Sequence, residues 1–351
     1  MVNRDSDLYR AHPDWTIRVP GRFELHARHQ YVLDYSNPEV CDHIFAMVSA
    51  ILTTARVSYV KWDMNRYMAT PYSTAAWTRQ GSAPFSRQGE VAHRYILGVY
   101  SLYERLTRAF PEILFESCAS GGARFDAGML FFAPQAWCSD DTDAYERQKI
   151  QYGTSLAYPL SSMGTHVSAV PNHQLLRTTT LDTRGNVAFF GAFGYELDLA
   201  QLSQADLALV RRQVGFMRRY RELIQVEGDL YRLKSPFEGN ECAWMVVAPD
   251  RSVAIALYCQ CLNQVNGSWV RLRLAGLDPA RCYEVTCDVS ADPSAPAQIL
   301  DLYGVGGEHG ATQCLRLHGA TLMRAGIPIS REVLSRKGGD FASLIFEIRA
   351  L

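Results

Sequence analysis

The sequence predicts an α/β protein: a parallel sheet built from βα units, followed by a small antiparallel β-sandwich. Three observations carry this. From about residue 28 to about residue 170, short β-rich runs alternate with helical patterns, the texture of βα units feeding a parallel sheet. From Gly228 onward the runs AWMVVAP, SVAIALYCQ, WVRLRLAG, CYEVTCDV and SLIFEIRAL are separated by turn-forming Gly, Pro, Asn and Asp, as in a sandwich. With 351 residues and 48% hydrophobic content, the chain can bury two cores.

Five strands are expected before the change of texture: Tyr31 to Asp34, Ser58 to Asp63, Ile113 to Ser117, Gln135 to Ser139 and Ser162 to Val167. Polar residues lie at or next to the C-terminal end of each. Between the first two, Pro38 suits a first helical turn, and Val40, Ile44, Met47, Val48 and Ile51 form an apolar face of a helix reaching Thr53. Val91, Tyr95, Leu102 and Leu106 mark a second helix, stopped by Pro111. Residues 69–90, rich in small and polar types, read as a long loop after the second strand, where binding loops tend to lie. Ser203 and Asp206 open a further helix with Leu207, Val210, Val214 and Met217 as its stripe, running to about Gln225. An eight-stranded (β/α) barrel takes about 250 residues, so five units imply either an open five-stranded sheet or the later part of a longer barrel.

Composition excludes several function classes. Lys plus Arg number 35 against 36 Asp plus Glu, with no basic block, so neither nucleic acid nor an anionic membrane surface is an expected partner. A neutral polar ligand fits better. The nine cysteines are scattered, and neither Cys259 with Cys261 nor Cys282 with Cys287 has the CxxC spacing of a zinc site. They are expected as reduced thiols, which points to the cytoplasm. No apolar run approaches the roughly 18 to 20 residues of a membrane span.

The stretch YVKWDMNR, residues 59–66, places charges behind a strand. Alternation puts Lys61 and Asp63 on one face and Trp62 on the other, and a lysine beside an aspartate favours the ionised carboxylate. Such an Asp suits a nucleophile on an anomeric carbon, with Asn65 near enough to serve a hydroxyl; a structural ion pair is the competing reading. In WCSDDTD, Asp140, Asp141 and Asp143 crowd a strand end, where mutual repulsion would raise the pKa of at least one and suit a general acid. A solvated acidic loop competes here, and the calcium-loop pattern is absent. In FESCASGGARFD, residues 115–126, Cys118 precedes Gly121 and Gly122, where backbone can approach a ligand closely. Cys118 is either a nucleophile paired with His166 or His173, or an inert buried thiol. Arg124 and Asp126 either pair with each other or orient the loop.

Taken in order, KWDMNR, ESCASGGARFDAGML, WCSDDTDAYERQKIQYGTS and MGTHVSAVPNHQ closely resemble the retaining α-galactosidases of glycoside hydrolase family 36, the melibiase or raffinase type. The opening MVNRDSDLYRAHPDW is similar to the family's segment just after its third barrel strand. The resemblance implies a partial (β/α)8 TIM barrel, strands 4 to 8, over residues 1–227, and a C-terminal antiparallel β-sandwich over 228–351. It also implies an internal position for Met1, with the family's first three strands upstream. It makes Asp63 the nucleophile and Asp140 the acid/base, with substrate contacts from Arg28, Lys61, Trp62, Asn65, Cys118 and Gly121. No metal or organic cofactor is implied. The expected substrates are small α-galactosides of the melibiose and raffinose kind, and the family suggests a homo-oligomer at full length. The family's galactose-gripping aspartate pair and tryptophan belong to strands 1 and 2, which leads to the expectation that the chain is truncated and inactive alone. A galactosyl transferase of the same family and a non-catalytic fragment are the alternatives.

Overall fold

The computed structural model describes residues 1–22, 28–80, 87–266, 269–288, 315–329, 331–336 and 338–351. They form two compact units, Met1–Trp137 and Cys138–Leu351.

In the first unit, β1 (Val2–Asn3) and β2 (Gln30–Tyr31) pair antiparallel, with Val2 opposite Tyr31. The run Tyr31 to Asp34 therefore is not a strand of the parallel sheet. Its backbone groups go to neighbours on the N-terminal side: Asp34 N–H donates to Trp15 O at 2.7 Å, Ile17 N–H donates to Val32 O at 2.9 Å, and Leu33 bridges Thr16 antiparallel. The Asp34 carboxylate, fully buried, accepts from the Ser73 and Ser36 hydroxyls, so the run's polar end serves packing.

Asn37 caps the helix Pro38–Thr54, accepting from Glu39 N–H at 3.2 Å. Val40, Cys41 and Leu52 are buried, and Ile44 and Val48 pack on the same cluster. Met47 and Ile51, expected on that face, are 49% and 59% exposed. β3 (Tyr59–Trp62), β4 (Leu114–Ser117) and β5 (Gln135–Trp137) follow in parallel, with Lys61 opposite Glu116 and Glu116 opposite Gln135. The helix Val91–Ala109 buries Val91, Tyr95, Val99, Leu102 and Leu106, as its pattern predicts. It also comes close to the chain at Tyr35, where a Cβ on Gly98 would meet Tyr35 O at 1.8 Å.

In the second unit, β6 (Met163–Ser168) pairs in parallel with β7 (Ala192–Glu196). β6 matches the last expected strand within a residue. β7 has no counterpart in the sequence reading, because Gly191 and Gly194 weaken its strand pattern. Gly194 is needed for space: a Cβ there would lie 2.8 Å from the His166 ring on β6. The helix Leu181–Ala188 was also unforeseen, since it buries polar residues along with apolar ones and shows no amphipathic stripe. Its Arg184 donates to Ser168 O, its Asn186 to Ser343 Oγ at 2.9 Å, and Leu181 O accepts from Gln213 at 2.9 Å. Ser203 caps the helix Gln204–Glu222, and a π turn, Leu223–Glu227, closes it. Its buried stripe is Leu209, Gln213, Met217 and Tyr220; of the expected stripe, Met217 is shared.

The remaining strands are β8 (Asp229–Lys234), β9 (Glu241–Val247), β10 (Val253–Gln260), β11 (Val270–Leu272), β12 (Cys282–Asp288), β13 (Leu315–His318), β14 (Ile327–Ile329) and β15 (Ser343–Ala350). Six form an antiparallel sheet in the order β13-β12-β15-β10-β9-β8, while β11 and β14 pair separately. Leu272, Ile327 and Ile329 join the cluster that holds Tyr258, Tyr283, Leu344 and Phe346, so both sheets share one core. Five parallel strands and then an antiparallel β domain make up the predicted class, a partial (β/α)8 barrel with a C-terminal β domain. Among the described residues, no helix is long and apolar enough to cross a membrane.

Two glycines in helices of equal length test the packing. Gly98→Ala is expected to destabilise by about 2 kcal/mol through overpacking against Tyr35, whereas Gly215→Ala, with nothing within 4 Å of a built Cβ, should stabilise by about 0.5–1 kcal/mol. Urea unfolding of the two variants decides, and similar midpoints would contradict the close approach at Gly98.

Candidate active site

The site in the first unit begins with a buried acid. The Glu116 side chain is 3% exposed and lies 3.6 Å from Lys61 Nζ. The Tyr59 hydroxyl also donates to Glu116, and Gln135 Nε2 does so at 3.3 Å. Lys61 Nζ stands 4.3 Å from the centre of the Trp137 ring, whose face attracts a cation. Lys61 thus pairs with Glu116 and not with Asp63, against expectation. Adjacent parallel strands lie about 4.8 Å apart, nearer than residues two apart along one strand at about 6.6 Å. A carboxylate buried that deeply also requires a counter-charge.

Beyond the strand ends the ladder continues. Cys118 N–H donates to Trp62 O and Met64 N–H to Cys118 O, both at 3.0 Å. This sets Asp63 beside Cys118. Asp63 is exposed, its Oδ2 accepting from Asn65 Nδ2 at 2.6 Å, and Ser120 Oγ donates to Asn65 Oδ1 at 3.2 Å. Burial pushes the Cys118 thiol up to about 12, and its hydrogen bond to Asp63 adds to the rise. It is a protonated donor, unsuited to attack. Ser120 and Gly121 take left-handed backbone, φ 50° and 81°, and turn the Gly121 N–H back to the Cys118 sulfur. Arg124 does not pair with Asp126: Arg124 Nη2 donates to Cys118 O at 2.7 Å, while Asp126 caps the helix Ala127–Phe132 through Met129 N–H.

Asp63, Asn65, Cys118 and Gly121 therefore come together, with Lys61 on the neighbouring ladder position. Two expected substrate contacts do not join them. The Trp62 ring lies 5.2 Å from Tyr103 and packs in the hydrophobic cluster behind the strand. Arg28 is exposed in a turn at φ 54°. Glu116, Tyr59, Ser120 and Trp137 were not anticipated. A charged residue inside the otherwise apolar run ILFES was the available signal for Glu116, since a buried charge must find a partner.

In the second unit the three crowded aspartates have separate roles. Asp143, 2% exposed, caps the helix Ala144–Thr154 by accepting from Tyr145 and Glu146 N–H at 3.0 Å, and it pairs with Arg177. Asp141 Oδ1 accepts from Asp143 N–H at 3.0 Å. Among the described residues no hydrogen bond or ion pair reaches the half-buried Asp140 carboxylate. Buried Arg147 holds the loop, donating to Ser139 O and Asp141 O at 2.7 Å and to Gly164 O at 3.2 Å. It was also unforeseen.

The raised thiol pKa makes a direct prediction. With its folded value near 12, Cys118 stays protonated at pH 8 and should escape iodoacetamide in the native protein while half-buried Cys282 is labelled. Peptide mass mapping reads the outcome, and equal labelling of the two would contradict the buried Cys118 to Asp63 hydrogen bond.

Comparison with known proteins identifies the family. Residues 1–227 match the melibiase family, and residues 241–348 match the glycosyl hydrolase family 36 C-terminal domain. The α-galactosidase AgaA of Geobacillus stearothermophilus is 46% identical over 351 residues, which is 100% of this chain and 43% of that protein. Alpha-galactosidase 1 of Pediococcus pentosaceus is 48% identical over 284 residues, 81% of this chain and 38% of its own length. The crystal structure of AgaA superposes with a TM-score of 0.85 at 45% identity, covering 100% of this chain and 43% of that one. A variant of AgaA in complex with raffinose gives the same TM-score at 44% identity, with the same coverage of 100% and 43%. This chain spans less than half the length of these relatives. With its family match extending over the residues that build both strand-end sites, the chain belongs to the melibiase family, glycoside hydrolase family 36.

Proposed function

We infer that this chain carries the catalytic carboxylates of a retaining α-galactosidase. The observation that carries the reading is Asp63, an exposed carboxylate beyond a parallel strand, set by the Cys118 thiol and the Asn65 amide. Those two donors hold the carboxylate ready for attack, and Lys61 and the Gly121 turn are placed to meet sugar hydroxyls. Asp140 is the strand-end acid that, among the described residues, no internal cap or ion pair occupies, which suits it to hold and return a proton. In this mechanism Asp140 protonates the glycosidic oxygen as Asp63 attacks the anomeric carbon from the opposite face, giving a β-linked galactosyl ester. Asp140 then takes a proton from water, which displaces Asp63 and restores the α configuration. Terminal α-galactosides such as raffinose are the proposed substrates, in keeping with the raffinose complex of AgaA. Residues 1–227 are assigned to the catalytic barrel and 228–351 to an accessory β domain.

The test is a chimera in which this chain replaces the matched 43% of AgaA. Asp63→Gly in the chimera should lose on the order of 10³-fold in turnover or more, with azide restoring part of it as a β-galactosyl azide. The chain by itself, with Asp63 open to solvent, is expected to give no measurable turnover. Loss without azide rescue, in a variant that still melts cooperatively, would remove Asp63 from the nucleophile role.

Asp140→Ala should behave differently, because a general acid matters most for a poor leaving group. Raffinose turnover should fall at least about 100-fold more than turnover of an activated aryl galactoside. Equal losses on both substrates would take the acid role away from Asp140.

A further inference from the structure

The C-terminal β domain holds a polar cleft away from both strand-end aspartates in sequence and in its lining. It is bounded by Asn240 and Glu241 at the start of β9, Gln260 at the end of β10, Gln264, Trp269 and Arg331, and has a volume of about 340 Å³. That falls within the span of small-molecule sites, roughly 300–1,000 Å³. The Trp269 indole is 45% exposed, an unusual setting for the largest apolar side chain.

The walls are held before any ligand arrives. Asn240 Nδ2 donates to Leu262 O at 2.7 Å and Asn240 Oδ1 accepts from Leu262 N–H at 2.8 Å, which ties the loop after β10 to β9. Asn263 N–H donates to Asp340 Oδ1 at 2.6 Å, and the Arg331 guanidinium donates to Gln264 O. Gln260, 5% exposed, donates through Nε2 to Gly339 O at 3.1 Å and keeps Oε1 as an acceptor.

The charges point to a neutral ligand. Glu241 is matched by Lys234 and accepts from the Tyr258 hydroxyl at 2.6 Å, which leaves Arg331 as the sole uncompensated charge in the lining among the described residues. One guanidinium, partly engaged, is a poor phosphate site. An aromatic face beside amides, a carboxylate and a guanidinium offers an apolar plane with donors and acceptors at its edge. A pyranose ring presents the complement, a face of C–H groups rimmed by hydroxyls that both donate and accept.

We propose that this cleft is a second, non-catalytic binding site for a neutral hexopyranoside, with Trp269 as its stacking platform. The site stands independently of the role given to Asp63, so failure of either reading leaves the other untouched. The test uses the full chain labelled with 15N at its six tryptophan indoles, the Trp269 signal being assigned by its loss in Trp269→Phe. Titration with methyl α-galactoside should move the Trp269 signal saturably, with a Kd on the order of millimolar. Sorbitol, a polyol without a ring face, and inorganic phosphate should not. Arg331→Ala should weaken the response about fivefold, about 1 kcal/mol at the lost hydrogen bond. A Trp269 signal that stays still or drifts linearly with galactoside, or that answers sorbitol or phosphate equally, overturns the proposal.

Discussion

A buried carboxylate on a parallel strand sets the rest of the first unit's site. Glu116 has almost no access to water, and its charge is tolerated because Lys61, Tyr59 and Gln135 surround it. Meeting that need fixes Lys61 on the ladder position beside it, its ammonium over the Trp137 ring. With Lys61 committed to Glu116, the Asp63 carboxylate has no direct ion pair among the described residues and is held by neutral donors, a thiol and an amide. In the nucleophile role proposed for Asp63 this is a gain, since a tightly bound counter-ion would have to be given up as the carboxylate forms an ester.

The second unit solves a related problem with arginine. Three acids within four residues would repel each other if all faced the same space. Asp143 is turned inward to a helix N-terminus and Arg177, and Asp141 turns to a backbone N–H. Arg147 gathers the carbonyls of Ser139, Asp141 and Gly164, so the loop that presents Asp140 is braced by a fork of donors in addition to its own short-range turns at Ser139 and Asp141.

Much of this was legible in the sequence. Strand runs ending at Asp63, Ser117 and Ser139 were readable from β-branched and aromatic residues meeting polar ones, and the change of texture at Gly228 from the spacing of turn residues. Ordered motifs identified Asp63 and Asp140 as the residues to examine and carried the family resemblance. The expected strand at Tyr31 to Asp34 was wrong for a physical reason: an apolar run shows that a segment is buried but not which segment it pairs with, and here its partners are Val2 and Trp15 to Ile17.

What the sequence determined by itself, then, is local: which segments are apolar, where helices are capped, and which strands end in carboxylates. The tertiary structure decided which groups meet. Lys61 finds Glu116 because two strands 55 residues apart pair in one register and not another. The helix Leu181–Ala188 is stable although it lacks a stripe, because Ser168, Gln213 and Ser343 supply its buried polar groups with partners. Both outcomes depend on hydrogen bonds between residues distant in the chain, and no periodicity within either segment records them.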